Sequence, residues 1–188
     1  MAKRVVIVPG NGCGQVEQCN WYAWARDEIN KISGMECILK SMPDSVKARE
    51  SIWIPFLHDQ LLCDKETIIV GHSSGSEAAM RYAEKYQVHS IIVVSPCVTD
   101  LGEESERISG YYSRPWEWEL IKKNTQSIAV FGSTDDPFIP WDEMQEVIDN
   151  LDPDLYKFTT RGHFMSNSLP ELIQAVRKHM KQESTPLL

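Results

Sequence analysis

Apolar runs of four to six residues alternate along the chain with longer segments whose apolar positions recur at helical spacing, and this alternation predicts β-α units around a parallel sheet. The predicted strands are Arg4–Val8, Met35–Leu39, Thr67–Val70, Ser90–Ser95, Ser127–Phe131 and Leu155–Thr159. Helical segments lie between them at Trp21–Ile32, Ala48–Leu62, Gly75–Tyr86, Pro115–Asn124 and Pro140–Leu151, with a last helix over Leu169–Lys181. Ile91-Ile92-Val93-Val94 is β-branched at every position, as a central strand covered on both faces requires. The expected architecture is a three-layer α/β/α sandwich with a mainly parallel sheet of about six strands, in one domain spanning residues 1–188, with a tail over 182–188 that frays. In such sheets the chemistry lies just beyond the carboxyl ends of the strands.

Composition narrows the classes. With 188 residues, 42% of them hydrophobic and 24% charged, the chain can bury one substantial core. A formal charge of -8 argues against binding nucleic acid or an anionic membrane, since phosphate contacts need clustered Lys and Arg. The start MAKRVVIVPG is too short in apolar residues for a secretory signal, and no run approaches a membrane span. Cysteines at 13, 19, 37, 63 and 97 are odd in number and include no Cys-x-x-Cys pair. They predict reduced thiols, mostly small apolar fillers, in a cytoplasmic or nuclear protein.

The candidate chemistry begins after the third strand, where Gly71-His72-Ser73-Ser74-Gly75 matches G-x-S-x-G. Chance yields that match in roughly 6% of chains of this length, so its context matters. A β-branched strand precedes it and the helix former run Ser76-Glu77-Ala78-Ala79-Met80 follows, which is the setting of a nucleophile turn. The sharp turn exposes the serine hydroxyl and leaves no room for side chains two residues to either side, hence glycine at 71 and 75. The new helix aims free N–H groups at a developing oxyanion.

A serine nucleophile needs a histidine base and a carboxylate. Of the five histidines, His58, His89 and His179 read as structural or surface residues, His179 on a solvated helix face among Arg177, Lys178 and Lys181. His72 adjoins the serine, but the turn sends neighbouring side chains apart. His163, in the short loop after the last strand, is the predicted base. The acid comes from Asp135-Asp136 after the fifth strand; Asp136 is preferred, Asp135 is expected to cap the turn, and Asp100 is an outside candidate. The order Ser73, Asp136, His163 is that of α/β-hydrolases.

The strings VIVPGNG, ARESIW, TIIVGHSSG, SGYYSRPWEWE, FGSTDDPF and GHF resemble the retinoblastoma-binding protein 9 family, small serine hydrolases of the α/β-hydrolase superfamily, over nearly the whole chain. The resemblance implies a minimal α/β-hydrolase fold without a large cap domain and a triad of Ser73, Asp136 and His163. It also implies small ester or amide substrates, including amino-acid derivatives with bulky apolar side chains. Neither a cofactor nor a metal is expected. The namesake's pocket-protein motif Leu-x-Cys-x-Glu is replaced by Leu61-Leu62-Cys63-Asp64-Lys65, whose lysine inverts a charge and argues against a retinoblastoma-type partner.

Gly10-Asn11-Gly12-Cys13-Gly14 places its third glycine one position early for a dinucleotide fingerprint. In an α/β-hydrolase the same loop supplies an oxyanion donor, so the expected donors are the N–H groups of Asn11 and Ser74, with Gly12 as the substitute for Asn11. Tyr111, Tyr112, Trp116 and Trp118 are candidate pocket residues, the alternative being aromatic packing of a long loop. Glu103, Glu104 and Glu106 either attract a substrate amine or form a solvated face, and Trp21, Tyr22 and Trp24 read as core. A non-catalytic interaction module with a hydrolase-like fold is the alternative to an enzyme.

Overall fold

The computed structural model describes residues 3–181 of the chain. The six strands form as β1 (Lys3–Val8), β2 (Met35–Leu39), β3 (Thr67–His72), β4 (Ser90–Val94), β5 (Ser127–Ser133) and β6 (Asp154–Phe158). Their order is β2-β1-β3-β4-β5-β6, with every neighbouring pair parallel. The chain adds β2 on one side of β1 and then crosses to β3 on the other, so the order reverses between β1 and β3. In open α/β sheets that reversal leaves a crevice at the carboxyl ends.

Period-two alternation divides the strand residues between two cores. Val6, Val8, Ile69, Ile91, Val93 and Val130 pack under α2 (Glu50–Pro55), α3 (Ser74–Lys85), α5 (Trp118–Asn124) and α6 (Trp141–Leu151). Val5, Ile7, Ile68, Val70, Ile92 and Phe131 pack under α1 (Tyr22–Asn30) and α7 (Pro170–Met180). The central β3 and β4 are buried at every position, as the unbroken β-branched runs require.

Several expectations are corrected. The helix expected over 48–62 begins only at Glu50 and changes at Pro55 into a π turn over Phe56–Gln60, because Ala48 has φ 49° and Pro55 has no N–H to continue the α ladder. The segment after Pro115 stays irregular until Trp118. A further helix, α4 (Glu104–Ser109), forms in a stretch read as loop; it has acidic residues in its first turn, Arg107 near its end and Gly110 at φ 88° as its left-handed stop. The tail expected to fray, 182–188, lies outside the described residues.

The expectation of five reduced thiols is also corrected: Cys13 and Cys19 are joined, while Cys37, Cys63 and Cys97 are free and buried. A 3-10 turn over Val16–Gln18 folds the β1–α1 loop back and brings the two Cα atoms to 6.3 Å, inside disulfide reach. Among the described residues no helix is long and apolar enough to cross a membrane.

Candidate active site

Ser73 caps α3 with φ 53° and ψ -123°, a backbone state that side chains rarely adopt. The glycines on either side are sterically required. A Cβ on Gly71 would stand 2.2 Å from Gly75 O, and one on Gly75 would stand 2.1 Å from Val8 O. Ser73 N–H is anchored on Val94 O at 2.9 Å, and the Ser76 hydroxyl donates to Gly71 O at 3.0 Å. The turn is thus held at both ends, with the serine half-buried at a cavity wall.

His163 and Asp136 are paired, with Nδ1 to Oδ2 at 2.8 Å and the Asp136 side chain fully buried. Burial alone would raise the Asp136 pKa. The bond from His163 and the N–H groups of Ile139 and Phe138 outweigh it and hold the carboxyl below its ordinary value. An ionised carboxylate only accepts, so Nδ1 carries the hydrogen and Nε2 is left as the basic nitrogen. The Ser95 hydroxyl donates a second bond to the same Oδ2 at 2.9 Å. The turn is not capped by Asp135 as expected: Asp136 Oδ1 accepts the N–H groups of Phe138 and Ile139, while the Asp135 carboxylate accepts the Ser133 hydroxyl and the Gly162 N–H, bracing the loop that carries His163. Asp100 pairs with Arg107 instead.

Ser73 and His163 both border one cavity of about 880 Å³. Among the described residues no hydrogen bond joins the Ser73 hydroxyl to the imidazole. In unliganded sites such bonds are commonly long and tighten when substrate binds.

A second histidine does unexpected work. His72 Nε2 lies 2.8 Å from His163 O, and a carbonyl only accepts, so that nitrogen bears the hydrogen. Burial, aided by the nearby His163, pushes the His72 pKa down to about 3, which keeps the ring neutral and its Nδ1 an acceptor. The Tyr22 hydroxyl therefore donates to Nδ1 at 2.6 Å. Its oxygen accepts Gly10 N–H at 3.1 Å and the Asn20 amide at 3.3 Å. One hydroxyl and one ring thereby connect the glycine loop after β1 with the loop after β6 that carries His163.

The N–H groups of Asn11 and Ser74 have no acceptor among the described residues, Ser74 being the first residue of α3. Gly12 is excluded as the substitute donor, because its N–H is spent on Ser45 O at 2.7 Å.

Of the four aromatic candidates only Tyr112 lines the cavity. Tyr111 is wholly buried in the core, while Trp116 and Trp118 stack on each other against it. The cause is Arg81 of α3, whose guanidinium takes the carbonyls of Tyr111, Arg114 and Pro115 and lies 3.7 Å over the Trp116 ring, strapping the segment down. The apolar lining comes instead from Leu101, Phe138, Ile139 and Met165. Glu103 and Glu106 border the cavity, whereas Glu104 pairs with Arg107 outside it. Burial raises the pKa of Glu106, and that of Glu77, one helical turn beyond Ser73, lies far above the ordinary value because burial outweighs the Cys97 N–H that its carboxylate accepts. His179 is not solvated: it is fully buried, bonded to Ser90 at 3.1 Å.

A strained serine turn at the β3–α3 junction and a histidine bonded to a buried aspartate beyond β6, on this sheet, match the α/β-hydrolase class. The chain belongs to the serine hydrolase family, whose model matches residues 5–182. It is 58% identical over 174 residues to the serine hydrolase RBBP9 of Rattus norvegicus, which covers 93% of this chain and 94% of that one. Among solved structures, the ydeN gene product of B. subtilis superposes with a TM-score of 0.86 at 22% identity, covering 96% of this chain and 100% of that one. Est1E from Butyrivibrio proteoclasticus superposes with a TM-score of 0.73 at 13% identity, covering 95% and 87% respectively. These two likenesses show the fold. The protein is an enzyme, and the alternative of a non-catalytic module is set aside.

Proposed function

We propose that the chain hydrolyses a small ester or amide through Ser73, His163 and Asp136, by way of an acyl-enzyme. The observation that carries this reading is the buried Asp136 bonded to His163, which borders the same cavity as the strained Ser73 turn. His163 Nε2 takes the Ser73 proton as Oγ attacks the carbonyl carbon, and Asp136 stabilises the imidazolium that forms. The carbonyl oxygen becomes an oxyanion and receives the N–H groups of Asn11 and Ser74, each worth about 3 kcal/mol in the transition state. The imidazolium then protonates the leaving alkoxide or amine. Water, deprotonated by the same nitrogen, attacks the acyl-enzyme and releases the acid.

The preferred substrate is an amino-acid derivative with a bulky apolar side chain. Phe138, Ile139, Leu101 and Met165 offer an apolar wall, and Glu103 and Glu106 offer carboxylates for an ammonium group. A retinoblastoma-type protein is not a partner on this reading, since Leu61 and Cys63, the two motif positions that match, are buried in the core. Treatment with a fluorophosphonate followed by mass spectrometry is expected to place one adduct on Ser73. Ser73→Ala is expected to lower ester turnover by about 10⁶. An adduct elsewhere, or near-native turnover by the variant, overturns the reading.

A further inference from the structure

The bonded pair Cys13–Cys19 sits in the loop that carries Asn11, and both residues line the cavity that Ser73 borders. We propose that this pair is a thiol–disulfide exchange site, open to thiol reductants, whose bonded state holds the oxyanion loop in its working shape. The second half of that statement rests on Asn11 N–H being the oxyanion donor.

The loop has little else to hold it. Asn11, Gly12, Gly14, Gln15, Glu17 and Gln18 are exposed. Its backbone bonds are Gly12 N–H to Ser45 O, Val16 N–H to the Ser41 hydroxyl at 3.4 Å, Tyr22 N–H to Cys19 O at 3.3 Å, and the two closing the short turn, Gln18 N–H to Gln15 O and Cys19 N–H to Val16 O. Its two ends meet on one atom, since Gly10 N–H and the Asn20 amide both bond the Tyr22 hydroxyl. Between those ends the buried Val16 anchors the turn in the core, and the cross-link closes the chain from Cys13 to Cys19. Cutting it frees residues 13–19 to unwind, and the slack is transmitted directly to Asn11, two residues before Cys13.

Access separates this pair from the other cysteines. Cys19 is half-exposed, and the cavity gives solvent a route to it. Cys37 and Cys63 are buried thiols whose pKa is pushed up to about 12 by burial, and burial raises that of Cys97 further; none presents a thiolate at neutral pH. Reduction proceeds by attack of an external thiolate on the Cys19 sulfur, which forms a mixed disulfide and expels Cys13 as a thiolate that takes up a proton. A second thiol attacks the mixed disulfide, leaving Cys19 as a thiol and the reductant as its own disulfide. Two electrons and two protons are added to the protein. A disulfide so exposed to thiols is of the exchanging kind, whereas a structural one is shielded.

The test compares purified protein before and after dithiothreitol, with iodoacetamide alkylation mapped by mass spectrometry, hydrolysis of a p-nitrophenyl ester, and amide hydrogen exchange over residues 10–20. Reduction is expected to expose Cys13 and Cys19, and no other cysteine, to alkylation, and to speed exchange in the loop. It is expected to lower kcat/KM about 10-fold or more, towards the roughly 10²-fold cost of losing one oxyanion donor. Reoxidation with glutathione disulfide restores the native value, and Cys13→Ser combined with Cys19→Ser holds the lower value whatever the reductant. Reduced protein with unchanged exchange and kcat/KM overturns the proposal, as does a pair that glutathione disulfide leaves alkylatable. Should the double variant fail to fold, the reduced native chain decides. Absence of hydrolysis in both redox states, with no fluorophosphonate adduct on Ser73, refutes the triad instead; alkylation and exchange then judge the cysteine pair by themselves.

Discussion

Tyr22→Phe removes one oxygen and keeps the ring, so it isolates the hydroxyl that joins the two loops. A hydroxyl has one donor and two acceptor sites, and here all three are occupied, by His72 Nδ1, Gly10 N–H and the Asn20 amide. Without the oxygen, the half-buried Asn20 amide can turn to water, but Gly10 and His72 are buried and lose their partner outright. Each buried group left unpaired costs about 1–3 kcal/mol, so the loss is at least about 2 kcal/mol. For a chain of this size that corresponds to a fall in Tm of roughly 4–8 °C by calorimetry. Catalysis through the proposed site suffers separately, because Gly10 precedes Asn11, the proposed oxyanion donor, and His72 holds the backbone of His163, the proposed base. A displacement near 1 Å costs about 10²-fold, so kcat/KM for an ester substrate is expected to drop about 10-fold or more. A Tm within about 1 °C of native together with kcat/KM within about twofold refutes the claim that this hydroxyl organises the site.

His72 makes stability pH-dependent. Its native pKa is lowered from 6.5 to about 3, so the unfolded chain binds a proton that the native state refuses, and this contribution is lost as pH falls from 6.5 towards 3. Urea unfolding is expected to show a His72 share of about 1.4 kcal/mol per pH unit well inside that window, absent in His72→Gln; an identical slope in the variant contradicts a neutral buried ring. His89 and His179, whose pKa values burial also lowers, add in the same direction and remain in both proteins. Gly75→Ala drives a Cβ into Val8 O and Pro9 O at the end of β1, where backbone cannot yield, and is expected to cost about 3 kcal/mol or more in unfolding by urea; a loss below about 1 kcal/mol shows that the turn relaxes. Asp136→Asn is expected to lower kcat about 10⁴-fold by favouring the wrong imidazole tautomer while Tm changes little; kcat within about tenfold of native rejects Asp136 as the orienting acid.

The sheet was legible because each strand buries both faces or alternates cleanly, a signal carried by neighbouring residues. The serine turn was legible for a related reason: the glycine requirement at 71 and 75 follows from the turn itself. His179 shows where local reading failed although the information was present. Leu172, Ala175, Val176 and His179 recur at helical spacing and share the buried face of α7, but the charged neighbours Arg177, Lys178 and Lys181 suggested solvent. Helix α4 was missed because six residues with one exposed Ile108 carry no measurable period. The aromatic segment after β4 stayed open between pocket and packing for a different reason. Its position is decided by Arg81, about thirty residues earlier, and no property of Tyr111 or Trp116 announces that their carbonyls and ring will be gathered by a buried guanidinium.

The hardest feature to foresee is how His163 comes to border the same cavity as Ser73. The strand order puts three inter-strand steps between β3 and β6, roughly 14 Å at about 4.8 Å per step. The loop after β6 must therefore run back across the ends of β5 and β4 to present its imidazole, and such a loop would swing freely if only its own chain held it. It is pinned instead from the far side: His72 Nε2 donates to His163 O, and the Trp21 indole donates to Phe164 O at 3.0 Å. Both donors come from the β1–β3 half of the sheet, where Ser73 and the glycine loop after β1 already lie. The residues that hold the His163 loop thus lie at positions 21 and 72, far from 163 along the chain; Trp21 reads locally as ordinary core and His72 only as a neighbour of the serine. The stiffness of the site depends on contacts that only the closed fold brings together.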